Sequence, residues 1–248
     1  MTDKKIKKCP KHGDYEVKYF EVMGMRIEKD NCSTCAAERN EKLKAERIEQ
    51  ERISINSAKI ERRVRAGISK RNLLKGFDYI TAETPEQIRA KAKCEAFADA
   101  LISGKRDMNL ILSGGVGAGK TLLASAIIDK ACSRLDCRII EFMTMVKKIR
   151  DTYSNNQGKT ERELIKQYSS YDLLVIDEIG VQKNSEDEKI LIFEILDARY
   201  KEMLPTVLIS NMDMKGIESA VGSRIIDRLR ESGGKLITFD WESKRRPV

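Results

Sequence analysis

A glycine-rich octapeptide constrains the fold of this chain more than any other stretch. The sequence "GGVGAGKT", Gly114 to Thr121, matches the pattern G-x-x-x-x-G-K-[ST] at every fixed position. It follows the apolar segment "MNLILSG" and opens the helical segment "GKTLLASAIIDKACSRL". In a strand, loop and helix of this kind, backbone N–H groups and the helix N-terminus face a phosphate chain. The pattern therefore predicts a phosphate-binding loop, hereafter the P-loop, within an α/β fold.

Two side chains of the P-loop have expected roles in binding a nucleotide. Lys120 should reach the β- and γ-phosphates, and Thr121 should ligate Mg²⁺. The alternative is a chance glycine-rich turn, which the flanking strand and helix disfavour. The residues expected to bind ATP at this loop are Gly114, Gly115, Val116, Gly117, Ala118, Gly119, Lys120, Thr121 and Leu122.

A second apolar strand ends in two acidic residues. The segment "LLVIDE" places Asp177 and Glu178 directly after four apolar residues. Charges at the end of a buried strand need a partner or a cation. We expect Asp177 to hold Mg²⁺ through its water shell and Glu178 to orient and deprotonate an attacking water. The pair favours NTP hydrolysis over a P-loop kinase, although Glu178 could instead be a surface acid at a strand end.

Strands and helices alternate from about residue 68 onward. Further apolar strands are predicted at "RIIEFM", "TVLISN" and "KLITFD", with helical segments between them. Apolar strands separated by helices predict a mostly parallel, buried sheet, and hence an α/β domain. Asn211 follows one of these strands, where its side chain could lie near the γ-phosphate, although asparagine is also a common turn residue.

The only histidine of the chain lies in a cysteine-containing segment near the N-terminus. Cys9 and His12 form a C-x₂-H pair, and Cys32 and Cys35 form a C-x₂-C pair, each expected on a tight turn. Together they supply the four ligands of a closed, tetrahedral and therefore structural Zn²⁺ site. A segment with so few large apolar residues needs a metal in place of a core. The competing interpretation is a redox C-x-x-C pair, but no thioredoxin-like βαβ pattern surrounds it.

The net charge of +8 is concentrated in the first third of the chain. Residues 1–75 contain 20 Lys and Arg against 12 Asp and Glu, whereas residues 76–248 contain 27 of each. Such a segment either binds anionic partners or forms a solvated, lysine-rich helix.

Residues 38–66 are charged, free of Gly and Pro, and lack a clean heptad, which predicts a long exposed helix that Gly67 could end. We divide the chain into a zinc-binding module (1–37), a helical linker (38–67) and an ATPase domain (68–248).

The P-loop, "LLVIDEIG", the strand-terminal "SN" and "GSRIIDRLR" occur in the order typical of AAA+ ATPases. Residues 68–245 resemble more narrowly the DnaC/DnaI-type replicative helicase loaders, with "YDLLVIDEIGVQ" and "RIIDRLR...FDW" as the most similar stretches. By this resemblance Asn211 is the sensor-1 residue and Arg245 the sensor-2 residue. Arg228 is an arginine finger and Arg224 its helper, although the two could instead pair with neighbouring acids on a solvated helix.

The resemblance also implies partners. A finger acting on a neighbouring subunit requires self-association for efficient hydrolysis. The region "TMVKKIRDTYSN", with Lys147, Lys148, Arg150 and Tyr153, would bind single-stranded DNA, or else form an ordinary amphipathic helix. The N-terminal module would engage a hexameric replicative helicase. An IstB-like transposition helper and a zinc-centred adaptor without ATP turnover are the alternative functions.

The sequence contains no long apolar run and no signal-peptide pattern near its start. We therefore expect no membrane span and a cytoplasmic protein, with paired cysteines used for a metal more than for disulfides. The resemblance places it in the bacterial cytoplasm, whether the protein is encoded by a bacterium or by a phage.

Overall fold

The structure is a computed structural model that describes residues 5–29, 31–153, 158–180 and 185–243. The chain divides into two compact units, residues 1–58 and 59–248, which are described separately. No helix among the described residues is long and apolar enough to cross a membrane.

The first unit consists of two β-hairpins and most of a long helix. The antiparallel pairs are β1 (Ile6–Cys9) with β2 (Gly13–Glu16), and β3 (Lys18–Val22) with β4 (Met25–Lys29), followed by helix α1 (Ser33–Arg65). The helix predicted from residue 38 begins five residues earlier, because the carbonyl of Cys32 already accepts the Ala36 N–H at 2.9 Å. Cys35 therefore lies in the first turn of a helix and not on the tight turn predicted for its pair.

Helix α1 ends close to the predicted position. It extends to Arg65, and Gly67 follows with a left-handed φ of 89°. A Cβ at Gly67 would approach the carbonyl oxygen of Ile139 to 2.4 Å, so this glycine is needed both for its conformation and for its lack of a side chain. Arg63, near the end of the helix, is buried and forms an ion pair with Asp129.

The second unit has the predicted α/β architecture. Short 3₁₀ turns occur at Phe77–Tyr79 and Asp151–Tyr153. The elements in chain order are α2 (Pro85–Ile102), β5 (Leu110–Gly114), α3 (Lys120–Ala131), β6 (Cys137–Glu141), α4 (Phe142–Arg150), α5 (Glu161–Ser170), β7 (Leu173–Ile179), α6 (Glu186–Lys201), β8 (Thr206–Ser210), α7 (Met214–Val221), α8 (Ser223–Glu231) and β9 (Lys235–Phe239).

Among the described residues of the second unit, five strands form one parallel sheet in the order β6-β7-β8-β5-β9. The strand before the P-loop, β5, is thus separated by β8 from β7, the strand that carries the two acids. Because all strands run in the same direction, their carboxyl ends meet at one edge of the sheet. The P-loop, the acidic pair and Asn211 all lie at or near that edge, where open α/β sheets bind their ligands.

Apolar side chains on the two faces of this sheet form two buried clusters. Leu110 and Leu112 belong to the cluster that also contains residues of α2 and α3, whereas Ile111 belongs to the cluster with residues of α4 to α8. This alternation follows from the period of two in a strand. Helices therefore cover both faces, as expected for a parallel sheet.

Candidate nucleotide site and metal centre

The conformation of the P-loop depends on its glycines. Gly119 is the N-cap of α3 with φ 97°, and Gly114 has φ 139°. A Cβ at Gly114 would lie 2.4 Å from the carbonyl oxygen of Phe239, so only glycine fits between β5 and β9 at this point. The loop thus presents the start of α3, where backbone N–H groups have no intrahelical partner.

The side chain of Lys120 is held at the mouth of the loop. It is buried, and its Nζ donates to the carbonyls of Gly114 at 2.8 Å and Gly115 at 2.7 Å. A third bond, at 2.8 Å, goes to Oδ1 of Asn211, so the predicted sensor residue meets the P-loop lysine directly. The two residues predicted from separate motifs therefore share one site.

Thr121 and Asp177 form the pair expected of a magnesium site. The Thr121 hydroxyl donates to Oδ2 of Asp177 at 2.8 Å, and the backbone N–H of Glu178 donates to Oδ1 at 2.8 Å. Burial raises the pKa of Asp177. A hydroxyl and a carboxylate side by side at a phosphate loop are the oxygen donors that Mg²⁺ uses with nucleotides. These residues therefore fit the cation.

Glu178 has an unusual backbone. Its φ is 61°, in the left-handed region that a glutamate rarely adopts, and the pairing of β7 with β8 shifts register between Ile176 and Ile179. The buried Ser210 hydroxyl donates to the carbonyl of Ile179 at 2.6 Å beyond this irregularity. Strain of this type occurs where a side chain is re-aimed at a functional site. Burial, followed by the charge of Glu141, raises the pKa of Glu178.

A cavity of ≈ 590 Å³ opens beside these residues. It is lined by the P-loop, Asp177, Glu178 and Asn211, and also by side chains that the sequence did not single out. Glu141 ends β6 directly opposite Asp177 in register, and its strand "RIIE" repeats the pattern of an apolar run ending in an acid. The other newly recognised residues of the wall include Arg71, Lys75, Tyr79, Lys91 and Trp241.

The two arginines predicted on α8 lie outside the lining of this cavity. Arg228 forms an ion pair with Asp197 of α6 and lies over the rings of Phe193 and Tyr200, at 5.5 and 5.1 Å from their centroids. Arg224 is exposed, and its guanidinium lies 5.6 Å from the Phe193 ring centroid. The partner of Arg228 is thus on another helix and not among the neighbouring acids considered from the sequence.

Helix α4 carries the predicted basic residues on its outer face. Lys147 and Lys148 are exposed, whereas Met145, Val146 and Ile149 are buried in the core. The Arg150 guanidinium lies 3.7 Å from Oε1 of Glu188. The Tyr153 hydroxyl donates to Oε1 of Glu161 at 2.8 Å. The amphipathic pattern is confirmed, and it leaves two lysines available to solvent.

In the first unit, the four predicted metal ligands converge. Their ligand atoms all lie within 4.8 Å of one another, and three thiols face Nδ1 of His12 at 3.3 Å (Cys35), 3.6 Å (Cys32) and 3.7 Å (Cys9). Zn–S bonds of ~2.3 Å and Zn–N bonds of ~2.0 Å give tetrahedral edges of about 3.5–3.8 Å. The cluster therefore has the dimensions of a zinc site.

The surroundings of this cluster favour metal binding. Backbone hydrogen bonds from Lys11 and His12 are the main reason that the pKa of Cys9 falls to about 6, which favours the thiolate that a metal requires. Nε2 of His12 lies 3.0 Å from Oε1 of Glu38, so the ring presents Nδ1 to the thiols and its other nitrogen to a carboxylate. Zinc-bound histidines commonly have this second contact.

Arg245, the predicted sensor-2 residue, lies outside the described residues. The other three cysteines, Cys94, Cys132 and Cys137, are free and buried in the second unit.

Comparison with known proteins identifies relatives over most of the chain. Residues 25–244 match the family described as IstB-like ATP binding protein. The replicative helicase loader DnaC of Escherichia coli strain K12 is 32% identical over 214 residues, covering 81% of this chain and 85% of that protein. DnaC of Buchnera aphidicola subsp. Acyrthosiphon pisum is 35% identical over 188 residues, or 74% of each chain.

A crystal structure of the DnaC helicase loader has a TM-score of 0.59 with this chain at 20% identity, covering 68% of this chain and 99% of that one. This likeness establishes a common fold, and the family match includes the P-loop, Asp177 and Glu178. The chain therefore belongs to the IstB-like ATP binding protein family of AAA+ proteins and is a relative of the DnaC helicase loaders.

Proposed function

We propose that this protein is an ATP-dependent loader that places a hexameric replicative helicase on single-stranded DNA. The observation that carries the proposal is the grouping of the P-loop, Asp177, Glu178 and Asn211 around one cavity, in a chain whose curated relatives include replicative helicase loaders. ATP binding would assemble the second units around DNA, and hydrolysis would release them.

Hydrolysis would use the residues at the carboxyl edge of the sheet. Lys120 would exchange its carbonyl partners for phosphate oxygens, and Asn211, already 2.8 Å from its Nζ, would sense the γ-phosphate. Thr121 and Asp177 would hold Mg²⁺, which when bound neutralises developing charge on the phosphates. Glu178, with its pKa raised by burial, would accept a proton from the attacking water. Arg245 would complete the site as sensor 2.

Self-association would supply the remaining positive charge. Arg224 and Arg228 lie on one face of α8, and neither lines the cavity of its own subunit. In an ATP-dependent oligomer, Arg228, helped by Arg224, would act on the nucleotide of a neighbouring subunit. The ion pair with Asp197 would then hold the guanidinium ready for that contact.

DNA and helicase would bind at separate surfaces. Lys147 and Lys148, exposed on α4, would follow a phosphate backbone, with Tyr153, 63% exposed, available for base stacking. Residues 1–66 would recognise the helicase, with Zn²⁺ held by Cys9, His12, Cys32 and Cys35. The protein would act in the bacterial cytoplasm and would hydrolyse ATP weakly until DNA and helicase are present.

The test is a loading assay with the full chain, Mg-ATP, circular single-stranded DNA and a hexameric replicative helicase from the same organism. Wild type should deposit helicase on the circle and show DNA-stimulated ATP hydrolysis, whereas Lys120→Ala, which cannot hold the phosphates, should do neither. A matched control is Glu202→Gln, an exposed acid outside the cavity lining. Failure of wild type to deposit helicase would reject the loader function.

A second test addresses the proposed finger. Arg228→Ala should bind ATP with wild-type affinity yet lose DNA-stimulated hydrolysis by about a thousandfold, because the charge-stabilising group acts in trans. Arg230→Ala on the same helix, whose side chain pairs with Asp227, serves as the control. Equal turnover in Arg228→Ala and wild type would remove this residue from the mechanism.

A transposition helper is the second candidate, because the matched family is described as IstB-like. Immobilised full-length protein would capture a transposase in place of a helicase if this function holds. An adaptor without turnover would bind ATP but hydrolyse none of it even with DNA and helicase present.

A further inference from the structure

The strand β9 and the residues that follow it contact the P-loop at two points. At the start of the loop, the Gly115 N–H donates to the carbonyl of Phe239 at 3.3 Å. In the middle of the loop, the indole Nε1–H of Trp241 donates to the carbonyl of Ala118 at 3.0 Å. Residues 239–241 therefore hold both the beginning and the centre of the segment that would receive phosphates.

Trp241 is itself well placed to resist movement. Its ring packs on the buried ring of Phe239, with centroids 4.9 Å apart, and it joins the apolar cluster between the sheet and helices α2 and α3. The same side chain lines the nucleotide cavity. The indole can only donate a hydrogen bond, and the Ala118 carbonyl is the acceptor that it reaches.

This contact has a consequence for the backbone N–H groups of the loop. A peptide unit is planar and trans, so fixing the direction of the Ala118 carbonyl also fixes the direction of the Gly119 N–H. Gly119 has a left-handed φ of 97° and, lacking a side chain, would otherwise sample many conformations. The indole thus removes freedom at the residue that precedes Lys120, where phosphate binding requires order.

We propose that Trp241 is a positioning residue for nucleotide binding, which holds the P-loop through its Ala118 carbonyl in the conformation that receives phosphates. The proposal rests on the nucleotide site of the proposed function. It does not require that the protein load a helicase.

The experiment compares full-length wild type with Trp241→Phe, which keeps an aromatic ring beside Phe239 but removes the donor. Binding is measured with a fluorescent ATP analogue that is displaced by ATP, by inorganic triphosphate or by adenosine. In Trp241→Phe, Kd should rise about fivefold for ATP and for triphosphate, the loss expected for one hydrogen bond, while adenosine binds as in wild type. Ser103→Ala, which removes a side-chain bond to the Ala100 carbonyl away from the cavity, is the control and should bind all three ligands normally.

An unchanged Kd for ATP in Trp241→Phe would overturn the proposal. Equal weakening of triphosphate and adenosine would also overturn it, because it would indicate a general structural role. If wild type itself binds no ATP, the proposed function fails instead.

Discussion

The hairpins of the first unit and the parallel sheet of the second are both built from short strands, yet they are stabilised differently. In the hairpin β3–β4, Phe20, Val22, Met25 and Ile27 are all between 41% and 65% exposed. In the sheet, the central residues of β7 are fully buried between two apolar clusters. A two-stranded hairpin without a buried face is marginally stable in water. The comparison supports the proposal that a metal would replace a core in the first unit, whereas apolar burial stabilises the second.

The largest expected effect is that of removing the metal. Wild type should contain about one zinc per chain, and Cys32→Ser should contain essentially none, because a site with three remaining ligands is open and weak. The amide signals of residues 5–29 should collapse to unfolded positions, while the thermal transition of the second unit stays unchanged. Zinc analysis together with NMR of the full chain measures both outcomes.

The control for this prediction is Cys94→Ser, which alters a buried thiol of the second unit that lies outside the metal-ligand cluster found among the described residues. It should keep its zinc. Equal zinc contents in Cys32→Ser and wild type would refute the metal site. Unfolding of both units in Cys32→Ser would contradict the comparison, because the second unit would then also depend on the metal.

The reciprocal change removes a buried polar group from the second unit. Arg199 is 1% exposed, and its guanidinium donates to the carbonyls of Tyr168, Tyr171 and Pro205 and to the Thr206 hydroxyl. Burial lowers its pKa to about 9. Arg199→Met should lower the free energy of unfolding by about 3 kcal/mol, since the acceptors lose their donor. Denaturant unfolding of the second unit measures this loss.

Arg89→Met is the matched control, because Arg89 forms only an exposed pair with Glu86 and should change stability by less than about 0.5 kcal/mol. Zinc content should be unaffected in both variants. Equal stability of Arg199→Met and wild type would show that the buried network contributes nothing to the second unit.

The smallest expected effect concerns the carboxylate behind His12. Glu38→Ala should weaken zinc binding about tenfold, because Glu38 orients the imidazole so that Nδ1 faces the thiols. Competition with a chromogenic chelator measures the affinity. Glu41→Ala, at an exposed acid on the same helix, should bind zinc as wild type does. Identical affinities in both variants would assign Glu38 to the solvated surface.

Much of the second unit was predictable from local patterns. The strand before the P-loop, the strand that ends in Asp177 and the alternation of elements follow from apolar periodicity, which a buried parallel sheet imposes on its sequence. Helix α7 was not predicted, because it is only eight residues long and contains Gly216, a poor helix former, although Asp213 caps it through the Gly216 N–H at 2.9 Å. The early start of α1 was not predicted, because the candidate metal-ligand pair Cys32 and Cys35 overlaps the beginning of the helix.

Other features depend on contacts between distant segments. No local pattern predicts that the Trp241 indole will donate a hydrogen bond to the carbonyl of Ala118, 123 positions earlier. None predicts that Glu141 will lie opposite Asp177. From the sequence, Arg199 is expected to be a surface charge at the end of a helix. Only the packing of α5, α6 and β8 makes it a buried hydrogen-bond donor. These residues have partners whose chain positions are unrelated to their own.

The sequence by itself therefore determined the candidate sites of this protein: a predicted phosphate loop, an acidic pair and four candidate metal ligands, each defined by residue types at fixed short spacing. Only the tertiary structure determined how these residues are oriented. It placed Glu178 in a left-handed conformation next to a register shift and tied the loop to Trp241. The physical reason is that spacing along a chain specifies local geometry, whereas orientation at a site is fixed by packing and hydrogen bonds between elements that are far apart in sequence.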